Sequence, residues 1–144
     1  MAAAILSRLV EERGLAGVEV SSAGTGAWDG APASEGSYLV SLENGLDLSG
    51  HRARQVTTDI VAGADVILGM GAHHVDRAVA LGGVGRAHLL GEYAGEPAER
   101  AEVADPFGGD LEEYRETFAR LRLLLEAALP RLAGEQSDAD PGGH

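Results

Sequence analysis

The 144-residue chain carries 11 basic and 23 acidic residues, a net charge of −12, which excludes the clustered Lys and Arg that nonspecific nucleic-acid binding needs. It contains no cysteine, so disulfides, thiolate metal ligands and a thiol nucleophile are excluded within these residues. Aromatics make up 4% against 44% hydrophobic residues, so the core must be aliphatic. No apolar run reaches the length of a membrane span and no basic leader precedes one, so a cytoplasmic protein is expected.

In chain order, "MAAAILSRLVEERG" opens with Ile5, Leu6, Leu9 and Val10 at helical spacing and Gly14 as a stop, predicting a helix over 2–13. No N-cap and no turn precede it, so the chain begins inside a helix. "VEVSSAG" (18–24) predicts a short strand, and "TGAWDGAP" (25–32) the loop after it. Ser34 caps a second helix carrying Tyr38, Leu39 and Leu42, with Gly45 past its end. Residues 46–56 are polar and irregular. "ADVILGM" (64–70) is a buried-type strand, "AHHVDRAVAL" (72–81) a third helix and "AHLL" (87–90) a third strand. Residues 91–109 form a long loop. Leu111, Tyr114, Phe118, Leu121, Leu125, Ala128 and Leu132 give the last helix one apolar stripe, with Pro130 near its end. "GEQSDADPGGH" (134–144) is a polar, acidic tail expected to be disordered, leaving 1–133 as a single domain. Alternating strands and helices imply an α/β fold with a parallel sheet, and three strands are few for one.

Four clusters carry chemistry. "VADPFGGD" (103–110) is good turn sequence, and it also presents Asp105 on a loop as a candidate general acid. "SGHRAR" (49–54) offers His51, Arg52 and Arg54, residues that on a loop are ordinarily solvated. "GAHH" (71–74) places two histidines side by side; they are expected to point different ways on a helix with no third ligand near, so no metal is expected. Trp28, the single tryptophan, sits in a Gly-rich loop as either a satellite core residue or a pocket wall.

Taken together and in order, "MAAAILSRLV", "VSSAGTGAW", "LSGHRARQVT", "ADVILGM", "HLLGEYA" and "DPFGGDLEEYRETFARL" resemble the low-molecular-weight protein phosphatases over roughly residues 1–132. The resemblance implies a three-layer α/β fold around a four-stranded parallel sheet in order 2-1-3-4, here lacking its first strand. In that family the first strand runs into a Cys-x5-Arg-Ser-Pro phosphate loop followed by Met-Ala, which Met1-Ala2 matches. The nucleophilic Cys and the phosphate-gripping Arg would then lie outside this sequence, as expected if an internal Met was taken for the initiator.

Carried over residue by residue, the resemblance implies that Asp105 is the general acid and base, and that Trp28 and Phe107 wall the substrate cleft. It implies that Ser22 and His51 support the phosphate loop. The family's Met-Asp or Met-Thr after its third strand is Met70-Gly71 here, a departure. The implied partner is a phosphorylated protein, with no cofactor, nucleic acid or membrane. The implied activity is hydrolysis of phosphotyrosine through a cysteinyl-phosphate, the chain as given being inactive.

Gly108 and Gly109 after Phe107, with Tyr114 and Thr117 downstream, resemble the bacterial protein-arginine-phosphatase branch, which stands as the alternative. The arsenate reductases of the related branch need several cysteines and are discounted. A competitor of another class is a noncatalytic binding or dimerising module, which would associate through exposed sheet edges.

Overall fold

The structure is a computed structural model that describes residues 1–138 apart from 16 and 27. Helix α1, Ala2–Glu12, buries Ile5, Leu9 and Val10 along one face. Gly14 turns the chain out of it at φ +67°, a conformation that costs glycine nothing sterically. Helix α2, Glu35–Glu43, starts where Ser34 Oγ accepts the Ser37 N–H at 3.4 Å, and Glu35 in its first turn complements the helix dipole. It buries Val40 and Ser41 and leaves Leu39 and Leu42 exposed. Helix α3, Thr58–Ala62, is capped by Thr57 Oγ1, which accepts the Ile60 N–H at 3.2 Å.

The sheet is built from β1, Ile67–Gly69, and β2, Ala87–Leu89. They run parallel, with Ile67 opposite Ala87 and Gly69 opposite Leu89. Parallel neighbours need a crossover. Helix α4, Ala72–Ala78, supplies it and continues into a π turn, Val79–Gly83, that bends at Gly82 with φ 107°. Arg86 fixes the return. Its guanidinium donates to the carbonyls of Val61, Ala64 and Gly82, tying α3 and the π turn to the start of β2.

Residues 18–24 do not form the predicted strand. Gly24 alone pairs, in parallel with Gln55, and the backbone N–H groups of 19–23 find no partner among the described residues. A strand exists through its ladder, and no described segment pairs with 18–23 to complete one. The alternation survives in packing only, with Val18 and Val20 resting against the core. The described sheet therefore has two strands where the sequence predicts three.

Two further differences are local. The expected loop 91–109 contains helix α5, Leu90–Tyr93, and a 3₁₀ turn at Ala98–Arg100. Helix α6, Leu111–Asp138, extends through 134–138, which the sequence reads as tail; 139–144 lie outside the described residues.

Helix α6 packs on α1, α2 and α5. Tyr114, Phe118, Leu121, Leu125 and Ala128 of its predicted stripe are buried, joined by Leu124 and Leu129, while Leu111 is exposed at the open end. Truncating a fully buried leucine such as Leu121 costs about 2–5 kcal/mol. No helix among the described residues is long and apolar enough to cross a membrane.

Candidate active site

Ligands of α/β sheets bind beyond the carboxyl ends of the strands, and the loop before α6 crosses that edge. The carbonyl of Ala101 accepts the N–H of Gly91, two residues past the end of β2, at 3.0 Å. The N–H of Val103 donates to the carbonyl of Met70, one residue past β1, at 2.8 Å. Gly91 permits this approach, since a Cβ there would fall 2.4 Å from the Ala101 oxygen. Two residues on, Asp105 stands exposed at the sheet edge.

Asp105 closes its own turn. Its Oδ1 accepts the Phe107 N–H at 3.0 Å, an Asx turn of the kind Asp-Pro sequences favour. Gly109 N–H then donates to the Pro106 carbonyl at 2.7 Å, with Gly108 between them at φ +86°. One carboxylate oxygen is thus committed to the backbone, and Phe107 is left 79% exposed.

His74 faces this loop. Its Nδ1 accepts the Gly71 N–H at 3.2 Å, capping the start of α4. Burial pushes its pKa below the ordinary imidazole range, and neighbouring His73 pushes the same way, while the Asp105 carboxylate opposes them. The two histidine rings do not point apart as expected: they lie 3.9 Å apart at 39°. The reason is that His74 folds back onto Gly71 rather than following the helix surface.

The other candidates gather on a second pair of loops. Gly24 and Val56 are linked by a hydrogen bond of 2.8 Å, and Ala31 and Ala53 by one of 2.7 Å, so Gly24 and Ala31 are both tied to 53–56. Asp29 Oδ1 accepts the Gln55 N–H at 2.7 Å. Arg54 Nε donates to the Ser22 carbonyl at 2.9 Å, giving Arg54 a backbone partner where the sequence leaves it solvated. Trp28, whose carbonyl accepts the Ala31 N–H at 3.0 Å, is 84% exposed and so belongs to no core. His51 lies at the start of α1: burial lowers its pKa, and the Met1 amino group and Arg52 push it the same way.

The fold thus pairs Asp105 with Phe107, while Ser22 is tied to Arg54, Trp28 stands in solvent and His51 lies near Met1. Among the described residues no hydrogen bond or ion pair joins Asp105 or Phe107 to Ser22, Trp28 or His51. Sequence reasoning passed over Glu102, whose Oε2 accepts the Ala72 N–H at 3.2 Å from 30 residues away. The signal was Gly71, an N-cap position with no side chain to do that work.

The family model described as low molecular weight phosphotyrosine protein phosphatase matches residues 1–138. The probable low molecular weight protein-tyrosine-phosphatase EpsP of Ralstonia solanacearum is 33% identical over 135 residues, covering 88% of this chain and 86% of that one. A protein-arginine-phosphatase of Geobacillus stearothermophilus is 33% identical over 138 residues, covering 94% and 88%. The solved structure of YwlE arginine phosphatase from Geobacillus stearothermophilus superimposes with a TM-score of 0.81 at 31% identity, over 96% of this chain and 87% of that one. The match extends from the α1 helix to the end of the described residues, through both loop groups, and this chain belongs to the low molecular weight phosphotyrosine protein phosphatase family.

Proposed function

We propose that these residues serve hydrolysis of a phosphorylated protein side chain, phosphotyrosine in the first instance, with Asp105 as general acid and then base. The observation that carries this reading is the placement of Asp105 on a pinned Asx turn beyond the carboxyl edge of the sheet. There one carboxylate oxygen is held by backbone and the other is open to donate a proton to a leaving group. Phe107 and Trp28, both standing in solvent, are the apolar walls that a flat substrate side chain would cover. His51, beside the Met1 amino group, and Ser22, tied to Arg54 through its carbonyl, are in this reading the residues that support the family's phosphate loop. The 144 residues contain no cysteine, so the nucleophile is not among them and the chain alone turns over no aryl phosphate.

The experiment places a Cys-x5-Arg loop with its leading strand ahead of Met1 and compares Asp105→Asn with Asp105→Ala. Asparagine keeps the oxygen that accepts the Phe107 N–H and so preserves the turn. If Asp105 is the acid, both variants lose about 10²–10⁴-fold in turnover of a substrate with a poor leaving group. Full activity in Asp105→Asn would make Asp105 a turn residue only.

A second reading, phosphoarginine hydrolysis, is favoured by one feature. Gly108, where tyrosine-directed members of the family often carry a second aromatic, has φ +86°, so a large side chain there would be strained. A guanidinium needs less aromatic wall and gains from the carboxylates of Asp105 and Asp110. The ratio of kcat/KM on phosphoarginine and phosphotyrosine peptides decides between the two.

A further inference from the structure

The start of α4 is capped from outside its own helix. A helix leaves its first N–H groups without partners, and an N-cap side chain ordinarily takes one of them. Gly71 has the extended backbone of an N-cap, φ −126° and ψ 161°, but no side chain. Instead Glu102 Oε2 receives the Ala72 N–H at 3.2 Å, and His74 Nδ1 receives the Gly71 N–H at 3.2 Å. A Cβ placed on Gly71 would lie 3.3 Å from that same Glu102 oxygen and 2.9 Å from His73 Cε1. The space of a local cap is therefore filled by a carboxylate from the loop that carries Asp105, three residues further on. Val103, between them, is bonded to Met70 at 2.8 Å. The loop is thus fastened to the β1–α4 junction by one side chain and one backbone bond.

We propose that Glu102 is a positioning residue that caps α4 in place of residue 71 and thereby holds Asp105 opposite His74, Gly71 being the vacancy that admits it. The importance of this clamp for turnover rests on the reading of Asp105 as general acid; the clamp itself does not. The consequence is a chain in which the acid loop and the crossover helix move as one body. With a side chain at 71 doing the capping, the loop would keep only the Val103 bond to the β1–α4 junction.

The test uses the full 144-residue chain and NMR of the His74 ring. The groups that face this ring are His73 on its own helix and Asp105 from the loop. Asp105→Asn removes a carboxylate that favours the protonated ring, so it lowers the His74 titration midpoint in the parent chain. In Glu102→Ala the loop loses its side-chain fastening, and the same Asp105→Asn change moves the midpoint less. Glu102→Gln, which keeps an accepting oxygen, behaves like the parent.

Gly71→Asp added to Glu102→Ala restores the melting temperature, because the helix regains a cap, yet does not restore the response to Asp105→Asn. That double variant also carries the comparison should Glu102→Ala alone not fold. An undiminished response to Asp105→Asn without Glu102 overturns the proposal, as does the absence of any response in the parent. Failure of Gly71→Asp to restore stability overturns the exchange of caps. Turnover plays no part in this experiment, so an intact clamp beside an active Asp105→Asn phosphatase chimera would refute the acid and leave the clamp standing.

Discussion

Gly36 of α2 lies directly under the ring of Tyr114 of α6: a Cβ on Gly36 would fall 2.4 Å from Cε2 and 2.5 Å from Cδ2 of that ring. The closeness of the two helices at this point is set by the missing side chain. Two effects oppose each other when Gly36 becomes alanine. Helix propensity alone favours alanine by about 0.5–1 kcal/mol. The ring is buried and has no room to retreat, and overpacking of that kind costs about 1–3 kcal/mol. Gly36→Ala therefore destabilises, read as a lower denaturant midpoint. Tyr114→Leu in the same chain recovers part of the loss; strict additivity of the two changes would count against the contact.

Arg115 and Glu43 join the same two helices further along. The pair is two-pronged, Nε to Oε1 at 3.0 Å and Nη2 to Oε2 at 2.8 Å, with Glu112 adding a third contact at 3.4 Å. The hydrogen bonds and charge of Arg115 hold the Glu43 carboxyl below its usual range. The sign follows from that direction: a carboxyl with a depressed folded pKa stabilises above its unfolded value, and the contribution is lost as pH falls through the folded value. Both side chains are nearly half exposed, so the effect is small and salt-sensitive. Glu43→Gln should lower the melting temperature slightly at neutral pH and low salt, with no difference from the parent in strong acid or at 1 M salt. A gap that persists in acid would assign the loss to packing.

His74 and His51 both titrate below the ordinary imidazole range, burial being the first cause in each. A histidine with a depressed folded pKa leaves the unfolded chain binding more protons. Its contribution is therefore complete above about 6.5, the unfolded value, and declines as pH falls toward the lower folded one. Stability is expected to fall from pH 7 to pH 5 in the parent. His74→Asn, whose side-chain oxygen still accepts the Gly71 N–H, flattens part of that slope while keeping the cap. His74→Leu removes the cap as well, at a cost of about 1 kcal/mol. An unchanged slope in His74→Asn would show that His74 is not a source of it.

Among the described residues the N–H groups of 19–23 have no partner, whereas Leu124, Leu125 and Leu129 sit in the middle of α6 and of the core. Amide exchange is expected to be fast throughout 19–23 and slowest in 121–129. The same unpaired edge favours association between copies, so sizing should show a concentration-dependent shift. Slow exchange at 19–23 in a monomer would mean that these residues are paired after all.

Local chemistry decided much of this molecule in advance. The stripe of α6, the Ser34 cap, the turn at Asp105 and the strands at 67–69 and 87–89 follow from spacing and residue type, because each depends on residues within one or two turns of one another. The order of the short motifs also carried the family and, with it, Asp105, Trp28, Phe107, Ser22 and His51 as candidates. What local chemistry could not decide was pairing. Val18, Glu19 and Val20 read as strand by alternation, yet a strand is a relation between two segments, and among the described residues of 18–24 only Gly24 has one. Gly36, Gly71 and Gly91 look alike in sequence. The fold alone places a ring, a carboxylate and a carbonyl oxygen against them. Glu102 reaches the start of α4 across 30 residues, a partner set by where the loop crosses the sheet and by no pattern in the chain.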